Sequence, residues 1–307
     1  MKIVAFVFCV FALSSQLNAQ DDLLDLLDEP DKSEEPTYVT ATFKGTKVIN
    51  QQSCEIPGAG VMQFIILHRF GALNDDFVYN FFGLEQANTR FSFDYSFNDW
   101  LNVGLGRSSA SKTYDGFIKA KLLRQSTGAK NMPISLVAYS SMNYNTTRWE
   151  DDLPHNESDR LSYSFQLVMA RKFNDWLSLQ LVPTMAHYNL VEYTASSNDV
   201  FGIGVGGRIK LTQRVAITGE YTFQLNPNEY ELNGELTPYK NSASIGVDVE
   251  TGGHVFQLHL TNSRGMADPQ WIGMTPGSWG NGDIYLGFNI SRVFTLKKPK
   301  TAEEPQW

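Results

Sequence analysis

The chain has 307 residues, of which 42% are hydrophobic and 13% are aromatic, and its formal net charge is −8. Most of the acidic excess lies in residues 21–35, which hold eight acids and a single base, Lys32. The rest of the chain is nearly neutral, so it lacks the basic face that nucleic-acid binding needs. After the N-terminus no stretch approaches about 18 consecutive apolar residues, which excludes a helical membrane protein.

Residues 1–19 have the parts of a secretory signal peptide. Lys2 precedes an apolar run at 3–13, and small residues then lead to the predicted cleavage point after position 19. The apolar run is too short to cross a bilayer as an anchor. Cys9 lies within this run, so the mature chain keeps Cys54 alone and can form no internal disulfide.

Residues 20–40 form an acidic leader, and residues 41–59 then lead into the first predicted strand. Four leucines in the leader have helical spacing before Pro30 ends the pattern. One interpretation is a flexible, solvated periplasmic segment. The other is a short amphipathic helix that recruits a periplasmic protein partner through residues 21–35, although isolated helices of this length are marginally stable.

Residues 160–188 show the pattern on which the fold prediction rests. Apolar side chains alternate with polar or small ones, an Asn-Asp turn follows at 174–175, and the alternation then resumes. This pattern predicts a β-hairpin whose strands are long enough to cross the hydrocarbon of a bilayer. From residue 60 onward the chain contains twelve candidate strands. They lie at 60–70, 86–97, 101–108, 113–124, 133–144, 160–173, 176–188, 200–211, 214–224, 239–250, 254–263 and 282–294.

The predicted connections are mostly short on one side and long on the other. Those after strands two, six, eight and ten are tight turns, whereas those after strands one, five, seven, nine and eleven are longer. Outer-membrane barrels have short periplasmic turns and longer extracellular loops. We therefore predict an all-β fold, an antiparallel transmembrane β-barrel of about 12 strands over residues 60–295. A C-terminal periplasmic tail at 296–307 would follow, and the protein would lie in the outer membrane of a Gram-negative bacterium.

Several islands of sequence resemble a known family. They are ATFKGTKVIN (41–50), ILHRFG (66–71), NFFGLE (80–85), GLGRSS (104–109), KTYDG (112–116) and LLRQS (122–126). Together they resemble an uncharacterised outer-membrane β-barrel family of Bacteroidota, described as a domain of unknown function. The chain departs from the family pattern at Asn50-Gln51, where Asn-Gly would be expected. The resemblance implies a barrel fold and an outer-membrane location, and it implies no particular activity.

If the apolar faces of the strands contact lipid, the charged faces point into the lumen, because a charge facing lipid near the midplane costs roughly 2–4 kcal/mol. The predicted pore-lining residues are Arg90, Asp94, Lys119, Lys121, Arg160, Arg208, Lys210, Arg214, Glu220, Asp248 and Glu250. Two interpretations stay open, a pore for small polar or anionic solutes and a closed lumen filled by ion pairs. We further predict that Arg208, Lys210 and Arg214 form an anion-attracting ring at the periplasmic mouth.

Two connections are candidates for other interactions. The apolar segment 71–85 is expected to constrict the lumen, to lie on the membrane surface or to cap the barrel. The connection between strands three and four is a candidate anion site, and the alternative there is a polar turn with an Arg107–Asp115 ion pair. The residues of this candidate anion site are Arg107, Ser108, Ser109 and Lys112.

The sequence predicts no catalytic residue, no metal site and no cofactor, because it contains no metal-ligand spacing, phosphate loop or nucleotide fingerprint. His68 and His187 fall on lipid-facing positions, but neither lies in a recognisable nucleophile motif. The favoured function is a narrow pore for small polar or anionic solutes. One alternative is a structural or docking component of an envelope complex, and another is a lipid hydrolase embedded in the barrel.

Overall fold

The computed structural model describes residues 35–74, 78–81, 83–150, 152–194 and 196–297, and within them twelve antiparallel strands close into one barrel. The strands are β1 (Val61–Ala72), β2 (Asn88–Ser96), β3 (Leu101–Ser108), β4 (Thr113–Leu123), β5 (Ser135–Asn145), β6 (Leu161–Lys172), β7 (Leu177–Tyr188), β8 (Asp199–Lys210), β9 (Val215–Gln224), β10 (Ser242–Thr251), β11 (His254–Thr261) and β12 (Tyr285–Thr295). Each strand pairs with its neighbours along the chain, and β12 pairs with β1 to close the barrel. The predicted fold class is confirmed.

Smaller elements lie in the connections. The only α-helix within the described ranges, α1 (Asp268–Gly273), belongs to the connection between β11 and β12. It does not have the length and apolar composition that crossing a bilayer requires. The remaining elements are two short strand pairs, Pro36–Tyr38 with Ser126–Gly128 and Glu229–Leu232 with Glu235–Pro238, and the 3-10 turns Ala110–Lys112, Glu157–Arg160 and Trp279–Asn281.

Alternation along each strand separates an apolar outer face from a polar inner face. On β2, for example, Phe91 and Phe93 are exposed on the outer face, whereas Arg90, Ser92 and Asp94 are buried in the lumen. The outer face suits lipid, because the bilayer interior cannot solvate charged side chains. The predicted polar inner face is therefore present in the structure.

The two ends of the barrel differ in the lengths of their connections. The turns after β2, β6, β8 and β10 are short and lie at the end where β1 begins and β12 ends. In the first two of these turns, the side chains of Asn98 and Asn174 accept hydrogen bonds from the backbone two and three residues further on, which is typical of asparagine in turns. We call this end the periplasmic end, by the rule for outer-membrane barrels.

The lumen is filled by two segments that enter from opposite ends. From the periplasmic end, residues 39–59 fold back into the barrel, and we call them the plug. From the other end, the connection carrying α1 bends inward. Phe43, Val48 and Cys54 of the plug pack against inward-facing residues of β5, β6 and β7, while Trp271 and Ile272 of α1 pack against β7 and β8. Both segments therefore occupy space inside the barrel.

Three of the sequence predictions lie wholly or largely outside the described residues. These are the signal peptide at 1–19, the acidic leader at 20–40, of which only 35–40 is described, and the tail at 296–307, of which only 296 and 297 are described. They stay predictions.

Candidate functional site

The plug turns back on itself at Ile49-Asn50, and Glu220 of β9 holds this turn. The N–H of Val48 donates to the carbonyl of Gln51 at 2.9 Å, which closes the turn. The backbone N–H groups of residues 49, 50 and 51 then all donate to the Glu220 carboxylate, at 3.1, 2.8 and 3.0 Å. Hydrogen bonds to an ionised acceptor are stronger than neutral ones. A single wall carboxylate therefore anchors the tip of the plug about midway along β9.

Other wall side chains hold the plug through its backbone carbonyl groups. These donors are long polar side chains on four different strands, and their hydrogen bonds measure between 2.6 and 3.1 Å. The donors and the carbonyls that accept from them are Arg208 with Ala41 and Thr42, Lys119 with Thr46, Gln257 with Val48, and Asn289 with Ile49. Most of the described hydrogen bonds that the wall donates to the plug therefore end on backbone carbonyl groups. Gln180 in addition donates to the side chain of Gln51.

The inner face of β8 makes room for Gln51 of the plug. Its inward positions at 204 and 206 are glycines, and a Cβ added at either would lie 2.8 or 3.2 Å from the Gln51 amide. The Gln51 Nε2 group instead approaches the wall and donates to the Tyr221 carbonyl at 3.1 Å and to Thr222 Oγ1 at 3.0 Å. The plug therefore explains the absence of a side chain at Gly204 and contributes to it at Gly206.

The plug and the α1 connection meet at a group that we call the junction, formed by Lys47, Tyr139, Gln166 and Asp268. The Asp268 carboxylate accepts hydrogen bonds from Tyr139 at 2.5 Å and from Gln166 at 3.2 Å, and Lys47 Nζ lies 3.5 Å from it. Trp271 of α1 also donates to it at 3.2 Å. Burial opposes ionisation, but Lys47 and the hydrogen bonds outweigh it and hold the pKa of Asp268 below its usual value.

Further buried charges surround the junction. Arg90 and Asp115 form an ion pair inside the lumen, with Arg90 Nε 2.9 Å from the carboxylate. The ion pair that the sequence suggested between Arg107 and Asp115 does not form. Consecutive strand residues point to opposite faces, so Arg107 lies outside the barrel, where its guanidinium stacks 5.3 Å from the ring of Tyr114.

The structure places the predicted pore-lining residues in two groups. Six are buried in the lumen, namely Arg90, Asp94, Lys119, Arg208, Glu220 and Asp248. Five lie near the barrel ends and are less buried, namely Lys121, Arg160, Lys210, Arg214 and Glu250. The three cations predicted to form a ring do not share one environment, because Arg208 binds the plug while Arg214 is exposed. Glu250 at the periplasmic rim pairs with Lys44 of the plug.

The four residues of the candidate anion site do not converge on one point. Ser108 faces the lumen and its hydroxyl accepts from the Ala110 N–H at 3.2 Å, whereas Arg107 faces outward. The Ser109 hydroxyl accepts from the Thr89 N–H at 2.9 Å, and Lys112 is exposed. The Ser108 hydroxyl is therefore engaged within its own turn, and the Ser109 hydroxyl is engaged with the adjacent strand β2.

The apolar connection at 71–85 is described except for residues 75–77 and 82. Val78 and Tyr79 are 75% and 85% exposed. The described part of this connection therefore does not constrict the lumen, which the plug and α1 occupy instead.

The two histidines considered for lipid hydrolysis lie on the outer wall, as their positions predicted. His68 Nδ1 lies 2.9 Å from the Thr89 hydroxyl, and His187 Nδ1 lies 2.6 Å from the Asp199 carboxylate. No serine hydroxyl among the described residues forms a hydrogen bond with either imidazole.

Reasoning from the sequence missed the plug and the junction. Lys47 lies in the segment expected only to lead into the barrel, and Asp268 lies in a connection to which no role was assigned. A local signal does exist for α1, because Asp268 and Pro269 begin it and acids and prolines are typical of the first helical turn. Neither segment carries, within its own residues, a signal that it enters the lumen.

A closed barrel with an apolar outer face and a polar inner face defines this protein as an outer-membrane β-barrel. The chain belongs to the family of membrane bound beta barrel domains DUF5777, whose model matches residues 43–294. The match begins inside the plug, so most of the plug is part of the family's domain.

Several solved outer-membrane proteins are similar to this chain in structure. An outer membrane channel from Pseudomonas putida F1 is 13% identical, with a TM-score of 0.45 over 78% of this chain and 97% of that one. The NanC porin is 6% identical, with a TM-score of 0.48 over 76% and 98%. The outer membrane protein Omp33 from Acinetobacter baumannii is 10% identical, with a TM-score of 0.38 over 76% and 97%. No curated protein matches the chain.

Proposed function

We propose that this protein is a non-enzymatic outer-membrane channel that is closed in the described conformation. It opens when the plug leaves the lumen, and it then passes small polar or anionic solutes. The plug thus acts as a gate.

The polarity of the wall beneath the plug supports this proposal. Glu220, Arg208, Lys119 and Gln257 are buried, and each forms hydrogen bonds with the backbone of the plug. Burying charged groups permanently often adds no stability, since apolar residues of similar volume do as well or better. The same side chains would be well hydrated in an open, water-filled lumen. Charged side chains on the lumen wall are therefore better explained by a plug that can leave than by a permanent one.

The path of the chain supports release towards the periplasmic end. The plug is continuous with β1 at one side and with residues 36–38 at the other, where they pair with residues 126–128 at the periplasmic rim. Arg208 and Glu250 hold the plug near the same rim. A pull on the leader would therefore break these outer contacts before the deeper one at Glu220.

Conductance in planar bilayers tests the proposal. The first variant lacks residues 21–58, and the second also has residues 266–274 replaced by a Gly-Ser linker. We expect the wild type to be closed most of the time, the first variant to conduct intermittently, and the second to conduct steadily. A matched control lacks residues 21–35 alone and should behave like the wild type. The proposal is wrong if neither deletion conducts although both are inserted as barrels.

The second candidate function is docking of a periplasmic protein partner through the acidic leader. The short strand at Pro36–Tyr38 supports it, because this strand pairs with Ser126–Gly128 at the end of the barrel that we call periplasmic. In that case the plug would be a permanent anchor for the leader. A barrel that conducts in neither deletion variant but retains a partner from native membranes would support this alternative.

A further inference from the structure

The junction has the composition of a binding site for a small carboxylate. Its acceptor is the Asp268 carboxylate, and its donors come from three different parts of the chain. Tyr139 of β5 and Gln166 of β6 belong to the wall, whereas Lys47 belongs to the plug. Asp268 is the first residue of α1, in the connection between β11 and β12. The donors of the wall would therefore stay in place if that connection moved.

Asp268 is the ion-pair partner of Lys47 at the junction. Lys47 Nζ lies 3.5 Å from the Asp268 carboxylate, which also interacts electrostatically with Arg90. Arg90 is itself paired with Asp115. Withdrawal of Asp268 would therefore leave Lys47 without its ion-pair partner in a buried region, where an unpaired charge is costly. An incoming monocarboxylate would restore the pair.

An independent observation points to an additional ligand group. Arg90 is 3% exposed, and its Nη1 atom has no hydrogen-bond partner among the described residues. Buried polar groups are nearly always hydrogen-bonded, and a guanidinium is well suited to binding carboxylates. Arg90, which interacts electrostatically with Asp268, therefore has an unused donor for a carboxylate.

We propose that Asp268 occupies a carboxylate-binding site in the lumen, and that a small carboxylate solute replaces it when the α1 loop lifts. This proposal rests on the proposed channel function and names the class of solute. The α1 connection then competes with the solute, because its Asp268 carboxylate occupies the same site. In the closed state its carboxylate blocks the site, and a solute with the same chemistry can take its place.

Saturation-transfer NMR with acetate, on the full protein in detergent, tests this proposal. Asp268→Ala removes one carboxylate and leaves space of the same size. A charge-assisted hydrogen bond contributes about a factor of ten to the affinity for a ligand. We therefore expect the variant to bind acetate at least about tenfold more tightly than the wild type at constant ionic strength. Acetamide, which has no charge, should bind neither protein.

Two further variants complete the test. Asp283→Ala removes a carboxylate from the same connection at its outer side, where it accepts from Ser278 and Asn74, and should leave acetate binding at the wild-type level. Adding Gln166→Leu to Asp268→Ala should abolish the gain. All variants must show the gel shift on heating that marks a folded barrel.

Two results would overturn the inference, namely Asp268→Ala binding acetate no better than the wild type, and chloride competing as well as acetate does. Binding is measured with the plug in place and without any current. A barrel that binds acetate but never conducts would refute only the channel function. A barrel that conducts after plug removal but does not bind acetate would refute only the carboxylate site.

Discussion

Glu220→Gln should open the plug, because Glu220 accepts three backbone hydrogen bonds from its tip. An amide oxygen can accept two of them, and the amide NH₂ would then face the third N–H. A hydrogen bond to a charged group contributes about 1.5–3 kcal/mol, against about 0.5–1.5 kcal/mol for a neutral one. Weakening two of these bonds and losing the third should destabilise the plugged state by about 3–5 kcal/mol. The neutral amide offsets a part of this loss, because no charge is then buried.

A net change of about 3 kcal/mol corresponds to a roughly 100-fold increase in the population with the plug released. The rate at which the Cys54 thiol is labelled measures this population. Cys54 is 2% exposed when the plug is in place, and burial raises the pKa of its thiol to about 12, so the thiol should resist a membrane-impermeant maleimide. We expect Glu220→Gln to increase the rate of Cys54 labelling roughly 100-fold when release is fast compared with labelling.

Glu250→Gln is the matched control. Glu250 also binds the plug, through Lys44, but its side chain is 48% exposed. Exposed ion pairs contribute about 0–1 kcal/mol, so labelling should rise by no more than about fivefold. Labelling of Glu220→Gln at the wild-type rate would refute the assignment of Glu220 as the anchor. Equal acceleration in both variants would show that the plug has no dominant contact.

Three further results are expected. Gly204→Leu should speed Cys54 labelling while the barrel still forms, because its Cβ would lie 2.8 Å from the Gln51 amide and overpacking costs roughly 1–3 kcal/mol; unchanged labelling would contradict the fit of Gln51 to β8. The raised pKa of Cys54 stabilises the plugged state fully below its ordinary pKa of 9.0, and this stabilisation is lost as pH rises towards 12. The denaturant midpoint of the wild type should therefore fall relative to that of Cys54→Ala between pH 9 and 11, and parallel curves would count against a buried thiol. Deleting residues 21–35 should leave the heat-dependent gel shift intact and, if the leader docks a partner, should abolish co-purification of that partner at moderate salt.

The strands could be predicted from the sequence because their signal is local. The segment predicted at 160–173 is β6, Leu161–Lys172, and its alternation is set by lipid on one side and polar lumen on the other. Asn98 and Asn174 likewise mark turns through contacts within three residues. Such contacts need no knowledge of the rest of the chain.

The plug could not be predicted in the same way, because its contacts are not local. Ile49 and Glu220, which meet in the lumen, are 171 residues apart in sequence. The rule that apolar residues face lipid also fails where the lumen is filled. Ile65 and Leu67 of β1 point inward and pack with Met266 of the α1 connection. An inward apolar residue on a barrel strand is therefore the sequence signal that could have indicated a filled lumen.

The most direct test of gating is a reversible lock on the plug during a current recording. In a Glu220→Gln background, a cysteine is introduced in turn at Val137, Val168 or Ala170, which belong to the same apolar cluster as Cys54. A disulfide between this cysteine and Cys54 would tie the plug to the wall. If release of the plug opens the channel, oxidation should abolish conductance and a reducing agent should restore it in the same membrane. Conductance that persists in fully cross-linked protein, or that stays absent after reduction, would contradict the account.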